Sequence, residues 1–307
     1  LKSIPNNMQV IFVGDKDQLP SVGPGQVLTD LLAVEEIPKR ELTDIYRQED
    51  GSTIISLAHS IKNGKLPSDL TTNQKDRSFI ACSVNQIESV VEQVILRAKN
   101  KGFSSQNVQV LAPMYRGKAG IDQLNQMMQE ILNGNEDGTR KEVKWLDKVY
   151  RIGDKVLHLV NSPEFNVFNG DMGEITGITY AKDTDDKVDE MTLLFDETEV
   201  TYKRQEWNKF TLAYACSIHK SQGSEFQMVI LPLVKQYGRM LQRKLIYTAV
   251  TRSKDFLILL GETEAFRLAI ESEMIPRQTT LRHRLVEDEL ELKNQEHQMI
   301  AYEEEKT

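Results

Sequence analysis

Residues 212–261 constrain the fold of this 307-residue chain more than any other stretch. An apolar run, Met228–Pro232, is followed by residues that recur at helical spacing and then by a second apolar run, Phe256–Leu260. The periodic residues are Leu241, Leu245, Thr248 and Arg252. Short apolar runs are typical of strands buried on both faces, and a helix between two of them makes a strand–helix–strand unit. We therefore predict an α/β fold built on a parallel sheet.

Two polar stretches border this unit. Ser217–Phe226 is small and polar and leads directly into the first strand, which predicts an ordered loop that contacts a ligand. Tyr247–Ser253 closes the helix and leaves Arg252 at the edge of the unit. A guanidinium is permanently charged and forked, which suits it to phosphoryl oxygens during transfer. The alternative is that Arg252 forms a surface ion pair with Asp255 at the helix end, an ordinary role for a surface arginine.

A polar loop near the start of the chain is a second candidate. The apolar run Gln9–Val13 predicts a buried parallel strand, and the loop Gly14–Gly25 follows its carboxyl end, where open α/β sheets bind ligands. The glycines and prolines of this loop fit a tight connector before the next helix. A connector does not explain the polar cluster of Asp15, Asp17 and Gln18, which indicates a nucleotide-facing loop.

A third candidate loop follows the predicted strand Val108–Ala112. The chain continues through the glycine-bearing segment Pro113–Gly120 into a helix that extends from Ile121 to Ile131. A strand, a glycine-bearing loop and a helix start suit an anion such as a DNA phosphate. An ordinary strand-to-helix connection fits the loop chemistry equally well. Further helices are predicted around Val27–Leu32 and at Ser52–Asn63, Ile87–Ala98 and Glu262–Glu271.

Between residues 143 and 210 the pattern changes to short strands separated by turns. The predicted strands are Lys155–Val160, Gly173–Ile178, Met191–Asp196 and Glu199–Arg204. This spacing predicts a small β-barrel inserted into the α/β domain. Its larger aromatic residues either fill the barrel core, which is their commoner role, or stack on nucleic-acid bases. They are Trp145, Phe165, Phe168 and Trp207.

Composition and charge limit the class of protein. Hydrophobic residues make up 39% and charged residues 27% of a sequence without a run long enough to span a membrane or a signal-peptide pattern. Cys82 and Cys216 lack the spacing of a zinc site and predict buried thiols in a reducing cytoplasm, and no metal site is evident among the five histidines. The net charge of −8 argues against a nucleic-acid partner, but residues 287–307 carry eight acidic side chains against two lysines.

These motifs resemble those of the RecD-like superfamily 1 DNA helicases. Ser217–Phe226 and Tyr247–Ser253 resemble motifs V and VI, Gly14–Gly25 resembles motif III, Glu41–Gln48 resembles motif IV, and the loop after residue 112 resembles motif IVa. Helicases of this family carry an SH3-like insertion between motifs IVa and V, which is where the barrel is predicted. The resemblance implies a RecA-like, P-loop NTPase-type parallel sheet domain with an inserted small SH3-like β-barrel.

The resemblance also implies roles for individual residues. Arg252 would be the arginine finger, Arg47 a second cationic contact to the γ-phosphate, and Gln18 the sensor of that phosphate. The nucleotide would further contact Asp15, Tyr46, Gly223 and Glu225. Single-stranded DNA would contact Pro113, Arg116, Ser217, His219 and Lys220.

On this resemblance the chain divides into four parts. Residues 1–45 end a first RecA-like domain, residues 46–140 and 208–284 form a second, residues 141–207 form the barrel, and residues 285–307 form an acidic tail. The sequence lacks the phosphate-binding loop and the acidic strand end that hold ATP and Mg²⁺ in such enzymes. We therefore expect the carboxyl-terminal half of a helicase, inactive alone, whose partner is the missing amino-terminal RecA-like domain with the Mg²⁺ ligands.

The implied activity is ATP-dependent 5′–3′ translocation on single-stranded DNA with unwinding of the duplex, by a monomer without membrane contact. ATP would lie between two RecA-like domains. Two alternatives stay open: a non-catalytic single-stranded-DNA-binding module, and the helicase part of a conjugative relaxase. DNA affinity that is independent of nucleotide would favour the first, and an upstream nuclease domain rich in histidine would favour the second.

Overall fold

The computed structural model describes residues 4–5, 7–42, 51–117, 119–273 and 277–286. The chain divides into two units, one of residues 1–45 and 274–307 and the other of residues 46–273. Each is described by itself. None of the helices in the described ranges is long and apolar enough to span a membrane.

The smaller unit contains helix α1 (Val27–Leu32), as predicted. The prediction of a strand at Gln9–Val13 is wrong, because these residues form no strand and Val13 is 91% exposed. A strand needs a neighbouring strand to receive its backbone hydrogen bonds, and the described residues of this unit provide none. An apolar run has the same sequence pattern whether or not a partner strand is present.

The larger unit contains five helices and twelve strands in its described residues. The helices are α2 (Thr53–Lys62), α3 (Ile87–Asn100), α4 (Ile121–Asn133), α5 (Arg243–Val250) and α6 (Thr263–Glu271). The strands are β1 (Arg77–Ala81), β2 (Val108–Ala112), β3 (Glu142–Trp145), β4 (Lys148–Arg151), β5 (Lys155–His158), β6 (Met172–Thr179), β7 (Glu190–Phe195), β8 (Thr198–Lys203), β9 (Phe210–Leu212), β10 (Ala215–Ser217), β11 (Phe226–Leu233) and β12 (Ser253–Gly261).

A five-stranded parallel sheet in the order β1-β12-β11-β2-β10 organises this unit. The strands predicted at Val108–Ala112, Met228–Pro232 and Phe256–Leu260 all belong to it, which confirms the α/β prediction. The sheet is covered by amphipathic helices such as α3, whose apolar stripe is buried. Full burial of one such side chain is worth about 1.5–3 kcal/mol, so the stripe holds the helix against its neighbours.

Helix α5 is shorter than its sequence pattern predicts. It extends from Arg243 to Val250, so Leu241 and Arg252, which fit the helical period, lie outside it. The backbone of Gln242 is extended, and residues 235–240 form a separate turn in which Gly238 has a φ of 50°. The periodic pattern therefore marks a continuous apolar face but not the ends of the helix.

The inserted part is antiparallel. Strands β8-β7-β6-β5-β9 form one sheet, and β3 and β4 form a hairpin. All four predicted strands are present, although β5 ends at His158, where the ring Nδ1 lies 2.7 Å from the Val160 carbonyl oxygen. Trp207 is fully buried and donates its indole N–H to the Tyr202 carbonyl at 3.0 Å, so it belongs to the core.

A buried carboxylate joins the antiparallel part to helix α4 and to the start of β10. Asp154 accepts hydrogen bonds from the side chains of Gln129, Asn133 and Tyr214 at 2.6–2.9 Å and from the Arg151 N–H at 2.7 Å. Burial raises the pKa of this carboxyl group. Four donors around one buried acid fix the geometry of this junction.

Candidate functional site

The candidate residues of the larger unit lie at two opposite edges of the parallel sheet. The loop Pro113–Gly117 follows the carboxyl end of β2, and Ser217–Lys220 begins with the last residue of the neighbouring strand β10. Glu225 and Arg252 instead precede β11 and β12, whose first residues pair with each other. Because all five strands are parallel, the candidate DNA contacts and the candidate nucleotide contacts are at opposite ends of the strands. In sequence, only residues 221–222 separate the DNA candidates His219 and Lys220 from the nucleotide candidate Gly223.

Arg252 is a buried residue, with 3% of its surface exposed. Its guanidinium donates to the Thr248 carbonyl through Nε and to the Ser224 carbonyl through Nη1, both at 3.1 Å. Its own carbonyl accepts the Phe226 N–H at 2.9 Å. Arg252 therefore joins the end of helix α5 to the loop before β11, and it is not the exposed arginine that a surface ion pair would require.

The loop beside Arg252 presents Gly223 and Glu225. Gly223 is exposed and has a φ of 88°, a left-handed conformation that favours glycine. The Glu225 carboxylate is half-buried and lies 3.5 Å from the Lys254 ammonium group. A fixed carboxylate beside an exposed glycine suits a ligand that offers hydroxyl donors, such as a ribose.

At the opposite edge, a turn of 3₁₀ helix, Ile218–Ser221, presents His219 and Lys220. Ser221 is buried and donates its hydroxyl to the Ile218 carbonyl at 2.9 Å, which fixes the turn. The Lys220 ammonium group donates to the side-chain carbonyl of Asn169, a residue of the antiparallel part. The sequence did not identify Asn169 as a site residue, because Asn-Gly-Asp at this position predicts only a tight turn.

The loop after β2 differs from its prediction in one respect. Pro113 is buried, whereas Tyr115 and Arg116 are exposed. The first two amide groups of helix α4, those of Ile121 and Asp122, donate to carbonyls of the loop itself at 3.0 and 3.1 Å. The helix start therefore offers fewer donors to an anion than the strand–loop–helix pattern predicts.

The surroundings of Arg116 are acidic as well as basic. Arg116 lines a cleft together with Tyr115, Glu88 and Asp122. Two carboxylates in the same cleft oppose a phosphate group there. Of the candidate cations at this edge, Lys220 therefore has the more favourable surroundings.

In the smaller unit, the candidate loop brings Asp15 and Gln18 together. The Asp15 carboxylate accepts the Asp17 N–H at 2.9 Å and the Gln18 side-chain amide at 3.2 Å. The cluster read from the sequence is thus a local turn that fixes the Gln18 side chain. Tyr46 and Arg47 lie outside the described residues, and the described residues contain no group of three or more His, Cys, Asp and Glu that could hold a metal ion.

The same loop is held by an arginine from the far end of the unit. Arg277 donates through Nη1 to the carbonyls of Ser21, Gly23 and Gly25 at 2.6–2.9 Å. Nothing in its local sequence indicates a contact more than 250 residues away.

Comparison with known proteins identifies the parts of the chain. Residues 124–195 match the SH3 domain of ATP-dependent RecD-like DNA helicases, and residues 212–260 match the UvrD-like helicase C-terminal domain. Residues 1–85 match an AAA domain. The SH3 match overlaps most of the region in which a small β-barrel was predicted, residues 141–207.

Individual relatives extend the match over most of the chain. The ATP-dependent RecD2 DNA helicase of Deinococcus radiodurans is 31% identical over 93% of this chain, and the RecBCD enzyme subunit RecD of Mycolicibacterium smegmatis is 29% identical over 93%. The chain spans 37% and 50% of the lengths of these two proteins. A solved structure of a Bacteroides Pif1 helicase with ADP-AlF3 and single-stranded DNA aligns with 92% of this chain and 66% of its own, at 19% identity and a TM-score of 0.47. The two domain matches and the RecD2 and RecD sequences show that the chain belongs to the RecD-like DNA helicases.

Proposed function

We propose that this chain is the part of an ATP-dependent 5′–3′ DNA helicase that supplies an arginine finger and two strand-contacting loops. The observation that carries the proposal is the arrangement of the segment 217–225. It begins at the carboxyl edge of the parallel sheet with the candidate DNA contacts and ends at the amino edge beside Arg252. The direction of movement follows from the family resemblance.

At the amino edge, Arg252 is proposed to stabilise the γ-phosphate of ATP during transfer. Its guanidinium is already aimed at two oxygens, the carbonyls of Ser224 and Thr248. Phosphoryl oxygens carry full negative charge and are stronger acceptors than carbonyls, so they can replace these partners without a change in the chemistry of the contact. Gly223 and Glu225 are proposed to lie against the ribose.

At the carboxyl edge, Ser217, His219 and Lys220 are proposed to contact the phosphates of a single strand. A change in the partners of Arg252 acts directly on the Ser224 carbonyl, because that oxygen accepts one of its hydrogen bonds. Ser224 in turn donates its N–H to Ser221, the last residue of the turn that presents Lys220. This chain of contacts is the proposed physical link between ATP turnover and the grip on DNA.

Further elements of the proposal concern residues and partners outside this sheet. Gln18 and Asp15 are proposed to respond to the γ-phosphate, and Arg47 and Tyr46 to contact the nucleotide. ATP would be bound with Mg²⁺ and with an amino-terminal RecA-like domain that supplies the metal ligands. We also propose a reducing cytoplasmic location, because Cys82 and Cys216 are buried free thiols.

The test is ATP turnover by the complete gene product, with and without a single-stranded oligonucleotide, for the parent and for Arg252→Ala. We expect strand-stimulated turnover in the parent and a loss of about a thousandfold in the variant, the scale of an arginine finger. Strand affinity should stay within about twofold. Arg267→Ala is the matched control, because Arg267 is a surface arginine of α6 paired with Glu264 and Glu271.

The outcomes separate catalysis from binding. Retained turnover in Arg252→Ala would remove the arginine-finger assignment. Strand binding without any turnover in the parent would instead favour the non-catalytic binding module. Equal losses in Arg252→Ala and Arg267→Ala would point to general destabilisation.

A further inference from the structure

The connection between β5 and β6 exposes two aromatic rings. Residues 162–171 of this connection are called the aromatic turn below. Phe165 is 42% exposed and Phe168 is 43% exposed, whereas Trp207 of the same part of the chain is fully buried. Exposure of two neighbouring phenylalanines is costly in water unless a partner covers them.

The backbone of the aromatic turn is tied at several points. Ser162 and Val167 form an isolated antiparallel bridge, and the Phe165 N–H donates to the Ser162 carbonyl at 3.0 Å. The Phe168 N–H donates to the Asp171 carboxylate at 2.7 Å. Both rings are therefore presented from a fixed backbone, so less conformational freedom is lost when they bind a partner.

The aromatic turn lies against the loop proposed to contact DNA. Asn169, next to Phe168, accepts a hydrogen bond from the Lys220 ammonium group. A Cβ atom built on Gly170 would lie 3.9 Å from the Lys220 carbonyl oxygen, so the two backbones are in close contact. The turn that carries the two rings is therefore in contact with the loop that presents His219 and Lys220.

We propose that the aromatic turn is a stacking platform for the bases of single-stranded DNA, with Phe168 and Phe165 as the stacking residues. The inference rests on the proposed function, since it extends the same strand path onto the antiparallel part. Proteins that bind single strands combine a cation for the phosphates with exposed aromatic rings for the bases. The contact between Asn169 and Lys220 brings this cation and the turn that carries Phe165 and Phe168 into one region of the molecule.

The charges of the turn indicate how the strand would lie. The exposed Glu164 repels phosphate groups next to Phe165, whereas Lys220 attracts them on the other side of Asn169. The backbone would therefore lie towards Lys220 and the bases towards the rings. Two phenylalanines are too small an apolar area for a stable protein partner, which needs about 800 Å² on each side. Duplex DNA fits less well, because its bases are already stacked on one another.

The test compares two oligonucleotides with the same backbone, a fluorescein-labelled dT20 and its abasic counterpart, on the complete gene product that contains this chain. Phe165→Leu with Phe168→Leu removes the ring faces and keeps the apolar character. We expect affinity for dT20 to fall by about fivefold or more, the effect of one stacked base. Affinity for the abasic strand should stay within about twofold. Phe256→Leu is the matched control, because this ring is 39% exposed but lies on β12 towards the other edge of the sheet.

A second variant keeps the test informative if the leucines disturb folding. Phe168→Trp retains an aromatic face, so it should bind dT20 like the parent, and its added fluorescence should be quenched by dT20 but not by the abasic strand. Unchanged dT20 affinity in the leucine variant, or equal loss for both oligonucleotides, would overturn the platform and leave the proposed function intact. Failure of the parent to bind either strand would overturn both.

Discussion

Among the glycines, Gly261 has the closest neighbour to an added Cβ atom. It ends β12 with a φ of 125°, and a Cβ atom at this position would lie 2.0 Å from the Leu233 carbonyl oxygen. We expect Gly261→Ala to lower the free energy of unfolding by more than about 2 kcal/mol, because the substitution adds a backbone clash to an unfavourable φ. Urea unfolding measures the change. Gly102→Ala is the control, since Gly102 has a φ of 87° and open space around it, and should cost about 1–2 kcal/mol. Equal losses of unfolding free energy in the two variants would show that the backbone near Leu233 shifts to relieve the clash at Gly261.

For single residues, the sequence predicted which side chains belong to the site but not which groups they contact. Arg252 was identified as a forked, permanently charged group at the edge of the strand–helix–strand unit, and Lys220 through the resemblance to motif V. Their partners were not predicted, because nothing in the local sequence distinguishes the Ser224 carbonyl or the Asn169 side chain. Only the fold places these groups next to Arg252 and Lys220. The buried state of Arg252 was also not predictable, because it depends on the packing of helix α5 against the loop before β11.

At the scale of elements, the turn Ile218–Ser221 is the proposed grip on the strand. We expect His219→Ala with Lys220→Ala to weaken single-strand affinity and to reduce the slope of log affinity against log salt by about 0.7, the value for one phosphate contact. Fluorescence anisotropy titrations at several salt concentrations give both quantities. Lys182→Ala, on an exposed lysine of the antiparallel part, should change neither. Slopes equal to that of the parent would show that the turn does not contact phosphates.

Sequence patterns predicted elements well where an element's partners lie in the same unit. Val108–Ala112 is mostly apolar and was found as the inner strand β2, flanked by β11 and β10. Gln9–Val13 has a similar apolar pattern and forms no strand in the described structure. The difference is the availability of a hydrogen-bonding neighbour, a property that hydrophobic periodicity does not report. The ends of helix α5 were missed for a related reason, because periodicity records a buried face and not the capping of the helix.

At the scale of the larger unit, a buried lysine lies between the antiparallel part and the parallel sheet. Lys155 of β5 donates to the carbonyls of Ser105 and Val108 at 3.1 and 3.4 Å, and its ammonium group lies 5.0 Å from the centre of the Phe226 ring. Burial lowers the pKa of Lys155 to about 8. Cys216 is the titratable group facing it, and burial raises the pKa of that thiol to about 12, so the thiol stays protonated while the lysine titrates.

Because of this lysine, the free energy of unfolding of the larger unit changes with pH in the alkaline range. A lysine in an unfolded chain has a pKa of about 10.4, so between about pH 8 and 10 the unfolded chain binds more protons at this position than the folded chain. Stability at this position therefore rises with pH in that window, by an amount on the order of 3 kcal/mol. Below pH 8 the lysine is charged in both states and the cost of burying its charge is fully present.

Lys155→Met tests this dependence, because methionine fills a similar volume without a charge. We expect the stability of the variant relative to the parent to be greatest near pH 7 and to decrease steadily towards pH 10, as the parent lysine loses its proton on folding. Urea unfolding at half-unit pH steps measures the difference, with Lys182→Met as an exposed control that should show no trend. A constant difference across this range would mean that water or a shift of the two sheets relieves the buried charge. In that case the contact between the antiparallel part and the parallel sheet is looser than the short carbonyl contacts of Lys155 indicate, and the aromatic turn is not held at a fixed position beside Lys220.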